Sequence, residues 1–240
     1  MNQDKVLLYS GGMDSYIAAR LWQPATLLYC AIGHRYQRQE LETIHGALPA
    51  LGASGHKLVI DHRLRLGDLE MANAIIPLRN LYLICMATHY GSTVGLGALA
   101  GEVNPDKSDA FRVMLQSVLR ICYGTSYWSP GIDVKVLYPL GSYTKAQALG
   151  SYIARGNDPQ ELIAHTRSCY ENTRLPCGVC SACVKRHIAL RVHGLTERTV
   201  ADPDTSGYLA DIVQRWHTYD TLRRQETLQA FPQLAAQVPA

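Results

Sequence analysis

The chain has 240 residues, 47% of them apolar, and carries a formal net charge of +3 with a pI near 8.4. That is enough apolar material for one sizeable core without disulfide staples, and the mild basicity leaves no electrostatic footprint for a nucleic acid. No apolar run approaches the ~20 residues of a membrane helix, and the start Met1–Lys5 lacks an apolar signal core. Seven cysteines, four of them crowded together, fit metal binding better than a secreted disulfide framework. The expectation is a cytoplasmic chain that engages no membrane and no nucleic acid directly.

The apolar run Val6–Tyr9 reads as a buried strand, and Ser10-Gly11-Gly12 interrupts it before Ile17, Ala18 and Leu21 recur at helical spacing. Strand, glycine turn and helix in this order build a concavity of backbone N–H groups at the positive end of a helix dipole, where a phosphate fits. Asp14 or Ser15 is placed to cap the helix, and either is placed to touch a magnesium ion or a phosphate oxygen. No Gly-Lys-Ser/Thr follows and the Gly-x-Gly-x-x-Gly spacing is absent, which excludes a Walker loop and weakens a dinucleotide site. The stretch Ser10-Gly11-Gly12-Met13-Asp14-Ser15 instead resembles Ser-Gly-Gly-x-Asp-Ser, the PP-loop of the ATP pyrophosphatase superfamily.

Further strands are expected at Thr26–Ile32, Lys57–Asp61, Thr93–Ala98 and Val134–Tyr138. Helices are expected from about Gln37 to Leu51, with Gly52 at the end, and from Leu81 to His89. A third helix has Phe111, Met114, Leu115, Val118 and Leu119 in register, and a fourth starts at Thr144–Gln147 with a capping-box pattern. Strands alternating with helices imply a doubly wound, mostly parallel α/β sheet, in which polar loops such as Gly101–Asp106 at strand carboxyl ends form the ligand crevice. After about Arg191 the turn-rich Asp202–Gly207 leads to a tail in which Leu209, Ile212, Val213 and Trp216 share a helix face. The expected organisation is an ATP-binding α/β domain over 1–165, a cysteine segment over 166–194 and a helical tail over 195–240.

Cys169, Cys177, Cys180 and Cys183 end in Cys-x-x-Cys-x-x-Cys, a spacing that turns thiolates back on one ion, with Gly178 easing the knuckle. Four sulfurs with no open position describe a structural Zn2+ site; an iron–sulfur cluster uses the same ligands. Lys185, Arg186 and His187 follow, where cations would offset the thiolate charge. Cys30, Cys85 and Cys122 sit in apolar patterns and read as core residues.

The PP-loop and the cysteine cluster, with Tyr36-Gln37, Glu40-Leu41, Pro77-x-Arg79-Asn80, Gly101-Glu-Val-Asn104 with Asp106, Thr144-Lys145 and Ser168-Cys169-Tyr170 in order between them, resemble the 7-cyano-7-deazaguanine synthases, the QueC family. The resemblance covers about residues 5–190 and implies a Rossmann-like fold of the adenine nucleotide alpha hydrolase kind with a C-terminal zinc-binding helical region. It implies that ATP with Mg2+ adenylates the carboxylate of 7-carboxy-7-deazaguanine, ammonia displaces AMP to give the amide, and a second activation yields the nitrile. On this resemblance Ser10, Gly11, Gly12, Met13, Asp14 and Ser15 hold the pyrophosphate, and Lys145 and Arg79 neutralise phosphate charge. Gln37, Asn80, Gly101, Asn104 and Asp106 face the nucleotide or the ring, and the four cysteines hold zinc. The chain departs from the family where Tyr-Pro-Asp-Cys normally follows the Asn…Asp loop: it reads Asp106-Lys-Ser-Asp-Ala-Phe111. That departure and the tail motivate a second acceptor, a protein amine such as an amino terminus, in a modification or antiviral defence setting. A homodimer is expected by resemblance and base rate.

Overall fold

The computed structural model describes residues 5–72, 74–102 and 104–238. Val103 of the Gly101–Asp106 loop and the first four residues lie outside this set. Five parallel strands, β1 (Lys5–Leu8), β2 (Thr26–Cys30), β3 (Lys57–Asp61), β4 (Thr93–Gly95) and β5 (Lys135–Leu137), form one sheet in the order β3-β2-β1-β4-β5. From β1 the chain winds outward through β2 and β3, then returns to the other side of β1 for β4 and β5. The strand order therefore reverses between β1 and β4, and the carboxyl ends of those two strands flank the crevice where open α/β sheets bind ligands.

The crossovers are α1 (Met13–Trp22), α2 (Gln37–Gly52), α3 (Arg79–Ala87) and α4 (Asp109–Cys122). Because strand side chains alternate, Leu7, Leu27 and Tyr29 join one apolar layer beneath α1 and α2, while Val6, Leu8, Leu28, Val94 and Val136 join the other beneath α3 and α4. Both faces are covered, so the inner positions of the strands are apolar, and the polar Lys5, Thr26, Lys57, Thr93 and Lys135 stand at their amino ends. At Gly95 an added Cβ would fall against the indole of Trp22, which explains the small residue in that strand.

Helices α5 (Lys145–Ala154), α6 (Pro159–His165), α7 (Ser181–Val192), α8 (Gly207–Gln214) and α9 (Thr221–Ala230) complete the fold, α5 lying under the sheet with α1. Among the described residues no helix is long and apolar enough to cross a membrane. The capping box expected at Thr144 is formed: its side chain accepts from Gln147 N–H while the Gln147 side chain accepts from Thr144 N–H. The tail packs on α7, with Leu209, Ile212, Trp216, Ala230, Phe231 and Leu234 forming a separate cluster with Val184 and Ile188.

Some local expectations are corrected. Strands β2, β4 and β5 are shorter than their apolar runs, because the chain leaves the ladder to build the crevice loops. On α4, Leu115 and Leu119 are buried but Met114 and Val118 are 71% and 52% exposed, since residues one position apart diverge by about 100° around a helix. Neither Asp14 nor Ser15 caps α1: the N-cap is Gly12, and both residues lie inside the first turn. Only Gly11 of the glycine pair is left-handed, at φ 72°, while Gly12 is extended. Arg186 and His187 turn away from the thiols, Arg186 to Glu197 and Thr166, His187 to Asp204. Of the three cysteines expected in the core, Cys30 is buried in β2 but Cys85 of α3 and Cys122 at the end of α4 are exposed, because they lie on helix faces turned from the sheet.

Candidate active site

A cavity of about 270 Å³ opens at the carboxyl ends of β1 and β4. Its floor is the loop from Ser10 to Ser15. Gly11 takes the turn where an added Cβ would press to 3.1 Å from Ile44 of α2, so the loop lies tight against that helix. Gly12 has no side chain with which to cap α1, and the first-turn residues Met13, Asp14 and Ser15 line the cavity. A helix start of this kind presents N–H groups and a positive dipole end to an anion. Ser15 fixes the loop from within, its hydroxyl donating to Gly12 O at 3.0 Å and accepting from Ser10 N–H at 3.3 Å. Gly97 of the chain beyond β4 passes the same turn, where a Cβ would meet Ser15 N at 3.6 Å.

Three charged walls rise from this floor. Lys145, first residue of α5, is ion-paired with Asp14. Arg79, first residue of α3, donates to the Tyr36 hydroxyl at 3.2 Å, and the left-handed turn at Leu78 (φ 58°) brings it in. Arg167 ties the cysteine segment to the floor: its N–H donates to Gly11 O at 3.0 Å, and its guanidinium donates to the carbonyl oxygens of Glu171 and Thr173. Burial pushes the Tyr36 hydroxyl and the Cys30 thiol, both lining the cavity, up to about 12, so both stay protonated. Lys185 is lowered to about 8, first by burial and then by the neighbouring Arg223.

Of the residues singled out in the sequence, Ser10, Gly12, Met13, Asp14, Ser15, Arg79, Asn80, Asn104, Lys145 and Cys169 line one cavity. Asp106 stands behind it, accepting from Asn80 Nδ2 at 2.8 Å and so orienting that amide. Gly101 lies beside Asp220 and Arg223 of the tail. Gln37 is the exception: its side chain turns back to accept from Gly33 N–H at 2.6 Å, and Gln39 takes the cavity position. Sequence reasoning missed His34, Arg167 and Arg223 as cavity residues, and it named Glu40 only within a motif and Lys185 only as a counter-charge to the thiolates, whereas both line the cavity. Buried His34 pairs with half-buried Glu40 at 3.0 Å, with Tyr29 donating to the same carboxylate at 2.9 Å.

The four cysteine sulfurs lie within 4.8 Å of one another, and three of the four residues are buried. Backbone N–H groups of Cys177 and Glu171 donate to Cys169 Sγ at 3.3 Å, and that of Cys180 to Cys177 Sγ at 3.3 Å. Hydrogen bonds from Cys180 and Cys183 hold the Cys169 thiol well below its ordinary range. A four-thiolate tetrahedron with ~2.3 Å bonds has edges of roughly 3.8 Å, and Cys177 and Cys183 already stand 3.9 Å apart. The donor set fits a metal ion. Gln39 reaches from α2 to Asn172 Oδ1 at 3.0 Å, and the Tyr36 and Tyr170 rings lie 5.3 Å apart, so this cysteine loop forms one wall of the cavity.

Residues 47–194 match the protein-family profile described as "Queuosine biosynthesis protein QueC". The chain is 28% identical over 225 residues to the 7-cyano-7-deazaguanine synthase of Marinobacter nauticus, covering 82% of this chain and 96% of that one. It is 30% identical over 210 residues to the 7-cyano-7-deazaguanine synthase of Halobacterium salinarum, covering 75% of this chain and 88% of the relative. Among solved structures it is similar to the U34-tRNA thiolase NcsA from Methanococcus maripaludis, at 16% identity and a TM-score of 0.44, covering 99% of this chain and 72% of that one. With the profile spanning more than half of its length, the chain belongs to the QueC family.

Proposed function

We propose that this cavity makes a 7-cyano-7-deazaguanine by ATP-dependent activation of the corresponding carboxylate. The observation that carries the reading is the convergence, in one cavity at the sheet's switch point, of the Ser10–Ser15 loop with Lys145, Arg79 and the cysteine loop. The PP-loop and the first turn of α1 hold the phosphates of magnesium-bound ATP, and the acceptor lies toward Tyr36, Gln39 and Tyr170. A deazaguanine presents many polar edges, and Tyr9 Oη, His34 Nδ1 and Gln39 Oε1, all on residues lining the cavity, are buried without a protein partner.

Carboxylate oxygen attacks the α-phosphorus and pyrophosphate leaves; Lys145 and Arg79 balance the charge that develops on the phosphates. Ammonia then adds to the acyl carbon, AMP departs with the carboxylate oxygen and a proton is lost, leaving the amide. A second ATP activates the amide oxygen, and loss of AMP and a proton gives the nitrile. Zn2+ is the ion we assign to Cys169, Cys177, Cys180 and Cys183, where it supplies structure: four thiolates leave no open coordination position. Held there, the 167–183 loop keeps Arg167 on Gly11 and Tyr170 on Tyr36. We assign 1–165 to activation, 166–194 to the metal wall and 195–240 to a tail that closes the same cavity.

Mass spectrometry of products from the purified chain with magnesium-ATP, 7-carboxy-7-deazaguanine and ammonium tests the reading. AMP and free nitrile are expected. AMP with the amide alone would keep the activation and remove the dehydration; no carboxylate-dependent AMP would overturn the proposal.

A further inference from the structure

The family profile ends at residue 194, yet the chain beyond it is built into the cavity. Packing of α8 and α9 on α7 seats Glu226 against the start of α5, where its carboxylate accepts from Ala146 N–H. One turn earlier on α9, Arg223 reaches the main cavity and an adjoining recess that Lys145, Lys185 and Glu226 also line.

The charges around this point are unequal. The cavity lining carries Arg79, Lys107, Lys145, Arg167, Lys185 and Arg223 against the carboxylates Asp14, Glu40 and Glu102. Lys145 is paired with Asp14, and Lys107 with Glu102 at 3.1 Å. Among the described residues neither Lys185 nor Arg223 has a carboxylate within ion-pair distance; Lys185 Nζ stands 5.8 Å from the Tyr208 ring, and Glu102, which acts on it from farther off, is paired with Lys107. Two neighbouring cations without an ion pair, beside a recess whose carboxylate Glu226 is bonded to Ala146 N–H and whose third cation Lys145 is held by Asp14, repel one another in the empty cavity, and a multivalent anion relieves that repulsion. A single carboxylate would leave most of it in place.

We propose that Arg223, brought in by the C-terminal tail, and Lys185 form a subsite for the β- and γ-phosphates of ATP and for the pyrophosphate they become. The inference rests on the ATP-dependent reading above. Lys145 stands between the two halves of this phosphate site, touching Asp14 of the PP-loop helix on one side and sharing the recess with Lys185 and Arg223 on the other. The tail therefore completes the phosphate site and shields the leaving group from water.

The test is calorimetric titration of the full chain with magnesium pyrophosphate, comparing wild type with Arg223→Met, Arg223→Lys, Lys185→Met and, as a control on the tail surface, Arg215→Met. Deleting one charge-assisted hydrogen bond to the anion in a half-buried site predicts affinity roughly 10- to 100-fold weaker in Arg223→Met and in Lys185→Met. Arg223→Lys keeps the charge and recovers part of that affinity; Arg215, bonded to Asp211 on the surface, changes nothing. Thermal midpoint and metal content establish that each variant is folded, and Arg223→Lys and Lys185→Met decide the matter if Arg223→Met is not. Wild-type affinity in the folded variants, no pyrophosphate binding by the wild type, or a weakening that falls on the acceptor carboxylate instead would each overturn the inference. Pyrophosphate titration involves no deazaguanine. A chain that binds pyrophosphate through Arg223 and Lys185 but releases no AMP with 7-carboxy-7-deazaguanine would keep this subsite and lose the acceptor.

Discussion

Arg186 is the largest fully buried side chain among the described residues, 1% exposed in the middle of α7, and its replacement by methionine keeps the stem while deleting the charge. The guanidinium donates to Glu197 Oε2 at 2.7 Å, Thr166 Oγ1 at 2.6 Å and Ile163 O at 3.4 Å, joining α7 to the end of α6 and to the chain that leaves α7. Removing one member of a buried ion pair costs roughly 3–5 kcal/mol, because the partner charge is left uncompensated. Glu197 keeps 14% of its side chain on water and can rehydrate in part, which sets the expected cost at about 3 kcal/mol. In a chain of this size that lowers the thermal midpoint by roughly 6–12 °C. The assay is urea unfolding followed by circular dichroism at pH 7, with Arg186→Met, Glu197→Gln and the double variant. The double should be more stable than the sum of the singles by about 1–2 kcal/mol, since it leaves no orphaned charge. A cost below about 1 kcal/mol for Arg186→Met, or strict additivity, would refute the argument that this pair is desolvated and coupled.

The knuckle at Gly178 should be as sensitive. Its φ is 85° and an added Cβ would strike Ala201 O, so Gly178→Ala is expected to cost more than the ~1–2 kcal/mol of the left-handed backbone alone and to lower metal retention; an unchanged midpoint and metal content would sink that reading. Cys180→Ser, or extraction with a strong chelator, should remove the bound ion and expose the 167–183 loop to protease near Arg174, with metal per chain read by elemental mass spectrometry; a ratio unaffected by the serine would exclude Cys180 as a ligand. At Cys30 the raised value of about 12 leaves the thiol protonated until strongly alkaline pH, only about one thiolate in ten thousand at pH 8. Iodoacetamide at pH 8 should therefore label the exposed Cys122 and spare Cys30 until the chain is denatured; equal rates on the native protein would contradict the burial argument.

Much of this molecule could be read from residue order because the relevant physics is local. The apolar run at Val6, the Gly11 turn and the periodic helix after it dictate strand, loop and helix in succession, and repetition of that alternation leaves a parallel sheet as the way to bury every strand. The capping box at Thr144 and Gln147 is likewise a matter of spacing, as is the turning back of Cys177, Cys180 and Cys183 on one point. The tertiary structure decided which side chains meet at the switch point. Gln37 and Gln39 are two residues apart, hence on nearly opposite sides of α2, and only the docking of that helix determines that Gln39 enters the cavity while Gln37 caps the turn at Gly33. Met114 and Val118 fit an apolar stripe equally well, but the sheet covers the Leu115 and Leu119 side instead. Lys185 and Arg223 are separated by a whole tail and belong to no common motif. They become neighbours only because Leu209, Ile212, Trp216 and Phe231 need the apolar face of α7, and burying it carries α9 to the mouth of the cavity.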